Sequence, residues 1–167
     1  MSAVLWLRSA FFTLVLPGAV LIWVPRWQSM YTGGTLGLGS ARWVGVAPLI
    51  IGTTGLLWCI WDFGRMGKGT LAPVDPPRFV VRSGLYRVVR NPMYLSVLTA
   101  LAGEALLFRN LRLATWGAIA AIMFHVFVVT YEEPTLRRQF GYDYEAYCRA
   151  VSRWLPRRPA RDARWLE

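Results

Sequence analysis

The side chains best placed for chemistry in this chain are Glu104, His125 and the adjacent pair Glu132-Glu133, because all four stand in or beside long apolar runs. A charged group inside a membrane helix costs a few kcal/mol and usually marks function. Glu104 falls about eleven residues into an apolar stretch, roughly 16 Å along a helix. His125 precedes Glu132 by seven residues, so the two share a helix face. Antiparallel pairing of the two stretches is expected to bring Glu104 and His125 to one level. Two readings are open for that pair: a hydrogen bond that locks the helices, or a polar pocket that holds a head group or moves a proton. They are the candidate catalytic residues. Glu132-Glu133 ends an apolar run and is followed by Pro134. Either this pair binds a ligand or it faces arginines of the preceding loop.

A second group of candidates lies in that loop. It runs Arg78-Phe79-Val80-Val81-Arg82-Ser83-Gly84-Leu85-Tyr86, then Arg87-Val88-Val89-Arg90-Asn91-Pro92-Met93-Tyr94. Asn91-Pro92 predicts a helix start, with Asn as N-cap and Pro at the first helical position. The free N–H groups of that start, beside Arg87 and Arg90, would suit a carboxylate or phosphate. Gly64, Gly67 and Gly69 follow a helix and have the wrong spacing for a dinucleotide fingerprint, and no phosphate-binding loop of the Walker type is present. Cys59 and Cys148 are too few for a disulfide scaffold or a four-ligand zinc site, so no metal is expected.

The elements that must position these residues follow from composition. The 167 residues are 55% hydrophobic and 17% charged, with a mean hydropathy of +0.36. A soluble domain is about 25% charged. Disorder is excluded by the apolar and aromatic content, and a small soluble domain could not hide this much apolar surface. The fold class read from this is all-α, a polytopic transmembrane bundle. Four spans are predicted: Trp6 to Val24, Val44 to Phe63, Met93 to Phe108 and Leu113 to Tyr131, the last two forming a tight hairpin. Pro17-Gly18 is a kink site, and the first span lacks a cleavage pattern, so it reads as retained. Trp23, Trp27, Trp43, Trp58, Trp61 and Trp154 fall near span ends, as interfacial anchors do.

The formal charge is +10. The basic residues stand between apolar runs rather than along one helix face, which argues for membrane topology over nucleic-acid binding. Counted by loop, 4 of the 19 lie on one side and 15 on the other. That excess predicts a multi-pass protein with both termini, the second loop and the tail in the cytoplasm. From Glu132 to Trp154, the spacing of Phe140, Tyr144, Tyr147, Val151 and Trp154 predicts an amphipathic helix lying along the head groups. The arginines from Arg157 to Arg164 suit anionic lipid. The chain is read as one domain over 1–167, with two spans in 1–66, the site-bearing half in 67–156 and a basic tail in 157–167.

The order Ser83-Gly84-Leu85-Tyr86, Arg90-Asn91-Pro92-Met93-Tyr94, an apolar hairpin, Tyr131-Glu132-Glu133-Pro134 and Phe140-Gly141-Tyr142-Asp143-Tyr144-Glu145-Ala146-Tyr147 resembles one superfamily. It is that of the isoprenylcysteine carboxyl methyltransferases and phospholipid methyltransferases, and the resemblance covers about residues 67 to 156. It implies an integral membrane enzyme using S-adenosylmethionine. On that model Arg78, Phe79, Val80 and Val81 line the cofactor through their backbone. Tyr86 contacts it, and Asn91, Pro92, Met93 and Tyr94 are the signature tetrapeptide, with Arg90 beside them. Glu132 contacts the cofactor, with Glu133 its partner.

Two departures point within the superfamily. Isoprenylcysteine enzymes usually carry His where this chain has Asn91. Their eukaryotic members also carry a substrate-binding arginine where it has Val128. The resemblance therefore leans toward the phospholipid enzymes. It implies a lipophilic acceptor: a phospholipid amine, or an isoprenylcysteine-like carboxylate or thiol. Membrane lipids are the expected surroundings, and neither a protein partner nor nucleic acid is expected. The competing readings are an NADPH-dependent membrane reductase of the sterol-reductase type and a non-catalytic membrane protein.

Overall fold

The computed structural model describes residues 18–23, 26–27, 36–66, 80 and 82–156. Among them no strand occurs, and the fold is all-helical. A 3-10 turn, Gly39–Gly45, leads into α1, Val46–Met66. A second 3-10 turn, Gly84–Arg87, precedes α2, Pro92–Leu107. Helix α3, Leu111–Phe127, runs through a π turn, Val128–Glu132, into α4, Glu133–Phe140. Helix α5 is Tyr142–Ala150.

Among the described residues two helical runs are long and apolar enough to cross a membrane, Gly39–Asp62 and Leu111–Phe140. Helix α2 has 16 residues, about 24 Å, which is short of a hydrocarbon core of about 30 Å. Of the expected first span only the π turn Ala19–Trp23 and Gly18 are described. Trp116 of α3 donates its indole N–H to the Val20 carbonyl at 3.3 Å. The core joins these pieces: Leu56, Val97, Leu101 and Ala120 are buried, with Val20, Leu21, Met93, Trp116 and Phe124 packed around them.

Small residues bring α1 and α2 together. A Cβ on Gly45 would lie 2.6 Å from the Gly103 carbonyl oxygen. One on Gly52 would lie 2.5 Å from the Ser96 carbonyl oxygen, and one on Gly103 would strike the Leu49 backbone. Lipid tails are as apolar as leucine, so membrane helices associate through such close approach rather than by escaping water.

The α2–α3 hairpin turns as expected, in three residues. The N–H of Asn110 bonds the Ala105 carbonyl and that of Arg109 bonds Leu106, a Schellman closure. Its left-handed position is filled by Arg109, φ 55°, not by glycine. Arg109 Nε also donates to the Leu36 carbonyl at 2.9 Å, which ties the tip to residue 36. Asn110 caps α3 by accepting from the Arg112 N–H.

The C-terminal stretch departs from expectation. Instead of one helix along the head groups, two short helices meet at Gly141, whose φ of 50° breaks the run. Tyr144, Tyr147 and Val151 are buried with Leu136, Phe140 and Val80. The apolar stripe is therefore spent inside the protein. The basic residues from 157 onward lie outside the described residues.

Candidate active site

Pro134 shapes the end of the α3 run. It has no N–H and its ring would strike the carbonyl four residues back. A π turn relieves this: the Glu133 N–H reaches the Val128 carbonyl, five residues back. Such turns add a residue and often mark functional sites. Here the turn delivers two neighbouring carboxylates to different surroundings.

Glu132 turns to α2. Tyr94, in the first turn of α2, donates its hydroxyl to Glu132 Oε2 at 2.9 Å. Glu133 turns to the arginines. Arg153 donates through Nε at 2.6 Å and through its terminal nitrogen at 2.9 Å, a two-pronged pair. Arg90 lies 3.2 Å away and Arg137, more exposed, 3.9 Å away. The Glu133 side chain is 6% exposed and that of Arg90 10%. The bond to Glu133 holds the Arg153 guanidinium above its ordinary value.

Around this clasp the segment 148–154 is strapped over the start of α2. The Arg90 N–H bonds the Ser152 carbonyl at 2.9 Å, and the Arg90 guanidinium donates to Cys148 Sγ at 2.6 Å. Asn91 stands before Pro92, which opens α2 as expected. Its side chain does not cap the helix; it donates to the Arg153 carbonyl at 3.2 Å instead.

The loop before α2 is held from two sides. Tyr147 donates its hydroxyl to the Tyr86 carbonyl at 2.7 Å. On the α1 side, Gly84 has a φ of 54°, and a Cβ there would strike the Asp62 carboxylate. Asp62 in turn accepts from the Trp58 indole at 3.0 Å. The Tyr86 phenol is driven well above its ordinary range, chiefly by burial and further by Cys59, Glu132, Tyr147 and Tyr94. Tyr86, Tyr94 and Glu132 therefore form one cluster. Ser83 Oγ, three residues before Tyr86, is buried with no hydrogen-bond partner among the described residues.

Glu104 and His125 are not brought together. Glu104 stands three residues before the end of α2, and His125 fourteen residues beyond the start of α3. In an antiparallel hairpin that separates them by roughly 16 Å along the bundle. The expectation of a shared level fails because such a hairpin pairs residues equidistant from its turn. The observed contact beside His125 is Phe124 against Tyr94, ring centroids 4.8 Å apart. Glu104 Oε2 is buried without a partner among the described residues. His125 Nδ1 accepts from the Trp154 indole at 3.0 Å.

Of the other expected site residues, Arg78, Phe79 and Val81 lie outside the described residues. Val80 packs against the Tyr144–Tyr147 cluster and Met93 against the main core. Sequence reasoning missed Asp62, Tyr147, Arg153 and Trp154. Asp62 did leave a signal: it is an acid four residues after Trp58, at the end of an apolar run. The partners of Arg153 and Trp154 lie 20 and 29 residues away and leave none.

A family model described as phospholipid methyltransferase matches residues 40–143. That stretch contains α1 to α4, with Asp62, Tyr86, Tyr94, Glu132 and Glu133. No curated protein and no solved structure matches the chain.

Proposed function

The chain belongs to the phospholipid methyltransferase family, and on that premise we propose that it transfers a methyl group from S-adenosylmethionine to an amine-bearing lipid within the membrane. The observation that carries this reading is the division between the two carboxylates. Glu133 is consumed by Arg90 and Arg153. Among the described residues Glu132 takes no arginine; it bonds Tyr94 and stands beside Tyr86.

The residues fit the cofactor. Glu132 can accept from its ammonium or ribose hydroxyls, and the buried Ser83 Oγ, without a partner among the described residues, offers one more polar contact. Tyr86, Tyr94 and the N–H groups at the start of α2 complete the set, with the backbone of 78–81 expected beside them. Arg90 and Glu133 serve as frame: they hold the strap 148–154 and the start of α2 in register. S-adenosylmethionine supplies an electrophilic methyl group on a sulfonium. The protein's share is alignment of donor and acceptor, which can supply about 7–11 kcal/mol of the barrier. An ammonium head group gives its proton to interfacial water and attacks as the neutral amine, the methylated nitrogen taking up the positive charge that the sulfonium loses. His125 is poorly suited to take that proton, since Nδ1 already accepts from Trp154. Glu104 stands at the opposite end of the hairpin. The orientation we propose puts the arginine-rich end, with this site, in the cytoplasm, where a water-soluble cofactor enters while a lipid arrives sideways from the bilayer.

Calorimetric titration of the detergent-purified protein with S-adenosylhomocysteine, alongside NADPH, tests this reading. The expected result is binding of the former, at least about tenfold weaker in Glu132→Ala, equivalent to one charge-assisted hydrogen bond. Binding of NADPH alone would move the protein to a reductase. Binding of S-adenosylhomocysteine that Glu132→Ala leaves untouched would refute the site.

A further inference from the structure

His125 occupies an unusual position. Ile122 and Val129, three residues before it and four after, are 65% and 38% exposed, so His125 lies on the outward face of α3. An imidazole on an apolar outward face needs a partner, and the C-terminal strap supplies it through the Trp154 indole at 3.0 Å. An indole N–H only donates. His125 Nδ1 therefore holds its lone pair, and the neutral ring carries its proton on Nε2.

Trp154 does more than satisfy His125. Its ring lies 6.1 Å from the imidazole and meets Tyr94 edge-on at 6.4 Å. Tyr94 is the hub: its ring also meets Phe124, and its hydroxyl bonds Glu132. The indole thus packs edge-on against the tyrosine that holds Glu132. The residues just before it are tied down by Arg153 on Glu133, by Asn91 on the Arg153 carbonyl, and by the Arg90 N–H on Ser152. This strap lies beyond residue 143, where the family match ends.

We propose that Trp154, anchored by its N–H on His125, is the residue that positions the methyl acceptor. Its indole forms the wall between the outward face of α3 and the Tyr94–Glu132 pair, and sets how far an amine head group arriving sideways can enter. The aromatic face suits that ligand, because a cation over an indole is attracted by the ring's negative face. His125 is then a positioning residue that acts through Trp154. The inference rests on the methyltransferase reading above.

The full chain in nanodiscs containing phosphatidylethanolamine tests it. Two quantities are measured: S-adenosylhomocysteine affinity by calorimetry, and the rate of labelled methyl transfer against lipid mole fraction. Trp154→Ala is expected to raise the half-saturating mole fraction about tenfold, equivalent to one lost hydrogen bond plus an aromatic contact, while cofactor-product affinity stays within about twofold. Trp154→Phe keeps a ring against Tyr94 but loses the bond, so about a threefold rise is expected. His125→Leu should match it, and the double variant should be no worse than either single one. Unchanged half-saturation in Trp154→Ala, an additive double variant, or a parallel loss of S-adenosylhomocysteine binding would each overturn the inference. Wild-type binding without transfer to phosphatidylethanolamine would also overturn it, leaving the cofactor site standing. Failure of the wild type to bind S-adenosylhomocysteine at all would remove the methyltransferase reading itself.

Discussion

Glu132 and Glu133 are adjacent and alike in charge, yet replacing each by glutamine should have opposite consequences. Glu133→Gln leaves Arg90, with a side chain only 10% exposed, facing an amide instead of a carboxylate. It also weakens the two-pronged bond from Arg153. Breaking a buried pair by removing one partner costs about 3–5 kcal/mol. Arg153 is 32% exposed and Arg137 52%, so water takes over part of their loss. The lower end, about 3 kcal/mol, is therefore expected. For a chain of this length that lowers the melting temperature by about 6–12 °C.

Glu132→Gln differs because its amide oxygen still accepts from Tyr94. The exchange replaces a charge-assisted bond by a neutral one, a difference of about 1 kcal/mol, partly offset by the lower cost of burying an amide. Its melting temperature should stay within about 4 °C of wild type, while S-adenosylhomocysteine binding falls steeply. Thermal melting in detergent, followed by tryptophan fluorescence, and calorimetry on the same preparations give both numbers. Equal melting of Glu133→Gln and wild type would refute the clasp. A fall in Glu132→Gln as large as in Glu133→Gln would refute the separation of roles.

Gly103→Leu should cost about 3 kcal/mol or more, since its Cβ meets the Leu49 and Gly45 backbone, which cannot yield. Gly117→Ala is its control: the nearest atom to a new Cβ is 3.9 Å away, so thermal melting should be unchanged or slightly raised. Tyr86, Tyr144 and Tyr147 are held above the ordinary value of 10.0, in each case chiefly by burial. Unfolded, they lose their protons near that value; folded, they keep them, so above about pH 10 the folded state binds more protons and stability falls as pH rises. Phenolate absorbance measured beside melting should show part of the seven tyrosines ionising only on unfolding, and a single rise near pH 10 in folded protein would contradict this.

What the sequence made legible was local. Asn91-Pro92 marks the start of α2 because a proline needs no N–H there. The α2–α3 hairpin follows from two apolar runs with almost nothing between them. The acidic pair before Pro134 stands out by its cost in an apolar run. The opposite roles of Glu132 and Glu133 were not legible, because a π turn sets them and no periodicity of 3.6 contains one. The C-terminal stripe was read correctly as apolar but given the wrong partner. Periodicity says which face is buried, never against what, and here Val80 and Leu136 compete with lipid and win. The pairing of Glu104 with His125 failed on counting from the turn, which the sequence did permit.

Helix α1 carries none of the motifs that stood out in the sequence, yet the site depends on it. Its glycines bring it against α2, so its far end reaches the loop before α2. There Asp62, fixed by Trp58, packs on Gly84. A larger residue at 84 would strike the Asp62 carboxylate, so either that side chain leaves Trp58 or the turn gives way and Tyr86 with it, two residues on in the same 3-10 turn. Its left-handed φ makes glycine the favoured occupant even without the contact. The loop is thus held by Asp62 on one side and by Tyr147 on the other, from helices about half the chain apart in sequence. Close backbone packing can do this inside lipid, where apolar area gives no preference for one helix over another. The arginine clasp does it at the end of the bundle, where Arg137 and Arg153 keep part of their surface in contact with solvent. The two devices act on opposite flanks of α2, and the Tyr86–Tyr94–Glu132 cluster lies where both are in force.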